Sequence, residues 1–196
     1  MFGCTSMPTG MQTLNGDTFN IGAGNNAWFS SVAAGNGGGT TSVTIQTNVM
    51  NASTVKTLMN TFWGQSGTSY DTITFTGSMG SFTDSLTGNN SLRDYNNYVW
   101  TNSIVQPTTV AWSDTDQRLD EQTFSLGSYA GEDLTSITIT DWGNEYFSRA
   151  FIAALTVDTS DPTGNAGTAT PEPSYLAFVG ASLLGVGLLF RRKREQ

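Results

Sequence analysis

The sequence predicts an all-β fold, an antiparallel β-sandwich of about eight strands, with the jelly roll as one form of it. Three observations point there. Polarity comes from uncharged residues: Thr occurs 30 times and Gly 22 times, while Asp, Glu, Lys and Arg together make up only 12%. Thr favours pleated, half-buried strands, and Gly and Asn supply turns that need positive φ. Apolar and polar residues alternate over short runs separated by such turns. Five Trp and 11 Phe supply the bulky apolar side chains that a disordered Thr/Gly/Ser chain would lack.

Taken in order, residues 1–39 are turn-rich, and only Ala27 to Ala33 reads as a strand. Thr41 to Thr47 alternates, with Val43 and Ile45 on one face. The period then changes. Val55, Leu58, Met59 and Phe62 follow the i, i+3, i+4, i+7 rule, so one short helix is expected, capped by Asn51 or Ser53 and stopped by Gly64. Thr72 to Thr76 and Ser81 to Thr87, joined by Gly77-Ser78-Met79-Gly80, read as a hairpin. Further strands are expected at Thr108 to Trp112, Leu119 to Leu126, Leu134 to Thr140 and Phe147 to Val157. In the last, Phe147, Phe151, Ala153, Leu155 and Val157 are expected to point one way, with Arg149 among them. The outer domain is therefore placed at 1–157, followed by a flexible linker at 158–170.

The C-terminus has a different character. Residues 174–190 form a 17-residue run without a charge. As a helix it would be about 26 Å long at roughly 1.5 Å per residue, near the lower limit for crossing a bilayer core of about 30 Å. Ala177, Ala181 and Gly185 share one face of it, which would let another helix approach closely. Arg191, Arg192, Lys193 and Arg194 follow directly. Such a cluster stays on the cytoplasmic side, so the span is expected in the inner membrane with the β domain outside. Thr170-Pro171-Glu172-Pro173 precedes it, and the two prolines hold the chain extended just before the helix.

Pro171, Glu172 and Pro173, then an apolar helix, then a terminal basic cluster, resemble the PEP-CTERM sorting signal of Gram-negative bacteria. The resemblance covers residues 171–196 and implies recognition by an exosortase-type membrane enzyme. It implies delivery to the cell surface or exopolysaccharide matrix, with Pro171-Glu172-Pro173 as recognition motif and Arg191 to Arg194 as retention signal. Asn60 to Gly64, Leu92 to Asn97, Arg118 to Phe124 and Leu134 to Gly143 also resemble a recurring type of outer domain with such tails, one with no assigned activity. Residues 1–10 have neither a basic n-region nor an apolar h-region, so an export signal is expected upstream of Met1.

Charge and composition exclude several function classes. Residues 1–170 hold 14 acidic and four basic residues, a balance of −10, which disfavours nucleic acid as a partner. Cys4 is the lone cysteine and there is no His, which removes most zinc sites, Cys–His nucleophiles and Ser–His–Asp triads. Asp114, Asp116 and Asp120 are candidate calcium ligands, weighed against a solvated acidic loop. Arg93 with Asp94, and Arg118 with Asp120, read either as ion pairs fixing loops or as sugar-binding groups beside Tyr95, Tyr98 and Trp100. No catalytic residue is assigned, and no cofactor beyond that calcium is expected. The expected function is structural or adhesive, with extracellular polysaccharide as a partner. A lectin-like module is the alternative and a glycoside hydrolase a more distant one.

Overall fold

The computed structural model describes residues 7–23, 27–30, 39–62, 66–67, 69–98, 108–127, 133–143 and 149–160. The chain is all-β: eleven strands and no α-helix among the described residues. They are β1 (Gly10–Leu14), β2 (Asp17–Ile21), β3 (Trp28–Phe29), β4 (Thr41–Met50), β5 (Ala52–Phe62), β6 (Ser69–Gly77), β7 (Ser81–Thr87), β8 (Thr108–Ser113), β9 (Arg118–Ser125), β10 (Asp133–Asp141) and β11 (Arg149–Thr159). All pairings between them are antiparallel.

Two sheets share one core. The four-stranded sheet runs β4-β10-β6-β7 and the five-stranded sheet β3-β11-β5-β9-β8. Ile45, Ile73, Phe75, Ile137 and Ile139 from the first meet Val55, Met59, Phe124, Leu155 and Val157 from the second. Alternation made these strands readable, because each strand of the four-stranded sheet buries one face only. Among the eight long strands, β4 and β11 lie in opposite sheets. In a jelly roll the corresponding first and last strands are neighbours, so this sandwich has a different order.

The helix expected over Val55 to Phe62 is instead the central strand β5. Val55 and Met59 point into the core between the sheets, while Leu58 and partly buried Phe62 belong to a second cluster. A strand buried on both faces shows no period of two, and its four bulkiest apolar residues happened to fall at helical spacing. A bulge between Ile152 and Ala154 does the same to β11. Phe151 and Ala153 join the second cluster, whereas Leu155 and Val157 stay in the first, so the single face expected for them is split. Phe147 lies outside the described residues.

The second cluster exists because a hairpin covers the outer side of the five-stranded sheet. Met7, Phe19 and Ile21 pack there on Leu58, Leu119 and Phe151. Sequence reasoning missed this hairpin, although its turn carries the strongest short signal available, Asn15-Gly16. Leu14 pairs with Asp17, leaving a two-residue loop with φ of 52° at Asn15 and 92° at Gly16. Positive φ at both positions is what a type I′ turn requires. Asn15 then ties the turn down, donating from Nδ2 to Thr109 Oγ1 at 3.1 Å and to Val110 O at 3.2 Å.

Candidate functional site

Asp120 lies in a fork. The ends of β5 and β9 are held apart by the segment from Leu92 to Asn97. Thr61 N donates to Arg93 O, Tyr95 N to Thr61 O, and Arg118 N to Tyr95 O, at 2.8, 3.0 and 2.9 Å. Asp120 is fully buried and accepts two hydrogen bonds from Arg93, Nε to Oδ2 at 2.8 Å and Nη2 to Oδ1 at 2.6 Å. Asn60 Nδ2 adds a third at 3.0 Å, and Asn60 Oδ1 accepts from Asp120 N at 2.9 Å. Arg118 Nε donates to Asp94 O at 3.0 Å and lies 3.9 Å from Asp120 Oδ2. Burial, then the neighbouring Arg93, pull the Arg118 pKa below its ordinary value, against Asp120 and Asp94.

This geometry decides between the two readings of the arginines. Arg93, Asp94, Arg118 and Asp120 are all buried, so they fasten the fork and do not face a sugar. Tyr95 packs its ring 4.4 Å from Phe62, against the second cluster. Tyr98 differs: it is 71% exposed, and its hydroxyl donates to Asp116 Oδ1 at 3.2 Å, which raises its pKa. Trp100 lies outside the described residues.

The three candidate calcium ligands do not assemble. Asp114 Oδ1 accepts from the backbone N–H groups of Asp116 and Gln117 at 2.8 and 2.7 Å, which shapes the β8–β9 turn. Asp120 is held by Arg93 inside the fork. Among the described residues, no group of three or more His, Cys, Asp or Glu side chains could hold a metal ion.

A pair that sequence reasoning missed lies at one end of the core. Asp71 on β6 and Asp141 on β10 stand opposite each other in register, one rung beyond Ile73 and Ile139. Both are buried, at 0% and 2% exposure. Asp141 accepts from Ser30 Oγ, from Gly143 N at 2.8 Å and from Ala150 N at 3.3 Å. Among the described residues, neither oxygen of Asp71 has a hydrogen-bond partner. Burial, then the Asp141 charge, push the Asp71 carboxyl up to about 8, against the pull of Arg149. At neutral pH Asp71 therefore holds its proton. Asp71 and Asp141 stand side by side on neighbouring strands and are both buried, unlike the acid pair across an open cleft that glycoside hydrolysis uses.

The outer face of the four-stranded sheet is a third feature. Its central rung reads Thr44, Thr138, Thr74 and Thr83, one residue per strand. On one side stand Ser42, Thr140, Thr72 and Ser85, and on the other Gln46, Ser136, Thr76 and Ser81. Eleven of these twelve positions bear a hydroxyl, and none bears a charge or a ring. Thr44 and Thr138 share a hydrogen bond of 2.9 Å, and Thr74 and Thr83 one of 2.8 Å.

Pro171, Glu172, Pro173, the 174–190 run and Arg191, Arg192, Lys193 and Arg194 lie outside the described residues. A scan against protein-family models finds no match for the chain, and a search of curated proteins finds none either.

Proposed function

We propose that this chain is an exported protein of the cell surface or exopolysaccharide matrix, with a structural or adhesive β domain. Residues 174–190 hold it in the inner membrane with that domain on the periplasmic side. An exosortase-type membrane enzyme then reads Pro171-Glu172-Pro173 and passes it outward. The observation that carries this reading is the order of the tail: paired prolines, an uncharged run of 17 residues, then four adjacent cations. Among the described residues, the two core clusters draw on positions from Met7 to Val157, within the β domain. The four adjacent cations at 191–194 orient the span.

The test changes Pro171 and Glu172 to Ala in a host that carries an exosortase. The expected result is a full-length protein that inserts in the inner membrane and accumulates there. Maturation at the normal rate and size would reduce the motif to a spacer and the tail to an ordinary anchor. A lectin-like module is the second reading, and the observation in its favour is Tyr98, an exposed ring with its hydroxyl fixed on Asp116.

A further inference from the structure

We propose that the outer face of the four-stranded sheet is a docking surface for a flexible, uncharged polysaccharide chain. This deepens the matrix reading above and rests on it for where the partner is met.

Charge gives the first argument. The chain carries a net charge of −8, yet none of the twelve positions of the array is charged. An acidic or basic polymer finds no counter-charge there, and a nucleic acid finds no cation for its phosphates. A membrane surface would need apolar or basic side chains, and the array offers neither. Protein partners anchor on buried aromatic and Arg side chains, with Ser and Thr contributing little. The chemistry that remains is a polyol, which gives and takes hydrogen bonds through uncharged hydroxyls.

Geometry gives the second. Neighbouring strands place a hydroxyl about every 4.7–4.9 Å along a rung, and rungs follow about every 6.6–6.8 Å along a strand. Between them stand the threonine methyls, such as those of Thr74 and Thr138, small apolar patches suited to the C–H faces of a sugar ring. The Thr44–Thr138 and Thr74–Thr83 hydrogen bonds fix rotamers in the central rung, so little side-chain entropy is lost on contact. Adjacent strands rotate by roughly 20–25°, so four strands make a twisted face. A flexible chain can follow that twist, whereas a planar lattice such as ice or a crystalline fibre cannot. Each hydroxyl contact replaces one with water, so a single domain binds weakly and many copies at a surface bind by avidity.

The experiment uses the full chain in a polyoxyethylene detergent, run in native gels containing dextran, alginate or no polymer. Retardation by dextran and not by alginate is expected. Thr74→Val with Thr138→Val, which removes two hydroxyls at nearly constant shape, should abolish the retardation, while Tyr98→Ala should leave it. An unchanged melting temperature in the double variant keeps the loss from being one of folding; if that variant is unstable, Thr44→Val with Thr83→Val on the same rung replaces it. No retardation, stronger retardation by alginate, or retardation that survives both valine pairs would overturn the proposal. So would loss on Tyr98→Ala alone, or inhibition of ice recrystallisation by the wild type that the valine pairs remove. Tail processing is read separately, so failure here leaves the sorting assignment standing, and failure of processing leaves the binding result standing.

Discussion

Asp71 and Asp141 face each other across β6 and β10, and among the described residues only Asp141 is given hydrogen-bond donors. Like charges directly opposite on a sheet destabilise it, and a buried charge without donors destabilises it further. The fold tolerates the pair by keeping Asp71 protonated.

That arrangement makes stability depend on pH. The Asp71 carboxyl rises from an ordinary 3.8 to about 8 in the folded chain. Between those values the folded state holds a proton that the unfolded state has released, so this contribution falls as pH rises and levels off above about 8. Asp71→Asn removes the effect. The variant should gain on the wild type in melting temperature from about pH 5 to about pH 8. Parallel curves for the two proteins over that range would show that Asp71 ionises normally.

Arg93 and Asp120 should behave as a unit. Arg93→Met leaves a buried carboxylate without its cation and should cost about 3–5 kcal/mol, read from the urea midpoint. Arg93→Met combined with Asp120→Leu should be closer to wild type than Arg93→Met alone, because the two opposite charges leave together and Arg118 keeps Asp94 beside it. With Asp120 held by Arg93, millimolar-order calcium should leave the wild-type midpoint where it is. A rise that Asp120→Asn abolishes would restore the calcium site.

At the β1–β2 turn the cost is conformational. A Cβ on Gly16 would meet nothing within 4 Å, but φ is 92°. Gly16→Ala should therefore lose roughly 1–2 kcal/mol, and Gly16→Asn less, since Asn visits positive φ more readily. Equal losses in thermal melts would point instead to a steric cause.

Leu58 and Met59 are neighbours with opposite surroundings, both fully buried. Leu58→Ala and Met59→Ala should each cost about 2–5 kcal/mol. If one were nearly silent in denaturant unfolding, β5 would be covered on a single face.

These residues also show how much was legible beforehand. Val43 with Ile45, and Ile73 with Phe75, could be read as strand faces because one side of their sheet is open and the alternation is clean. Leu58 and Met59 could not, since covering both faces of β5 erases the period. Asn15-Gly16 carried a local signal that went unread, its flanks being rich in polar residues. The Arg93–Asp120 pair spans 27 residues and depends on the fork between β5 and β9. Asp71 and Asp141 meet only through strand register. Local spacing carries no trace of either, which is why Asp120 reads in sequence as a calcium ligand or as a partner of Arg118 and not of Arg93.

The last described strand has a mechanical meaning. Thr159 is paired with Ala52 beside the β4–β5 turn, and Ser160 N donates to Asn51 O at 3.0 Å. A pull directed along β11 would load this strand from its C-terminal end. The hydrogen bonds to β5 lie across that axis. Under such a pull they would be strained together in shear instead of being unzipped one by one, and the resistance would be that of a whole strand.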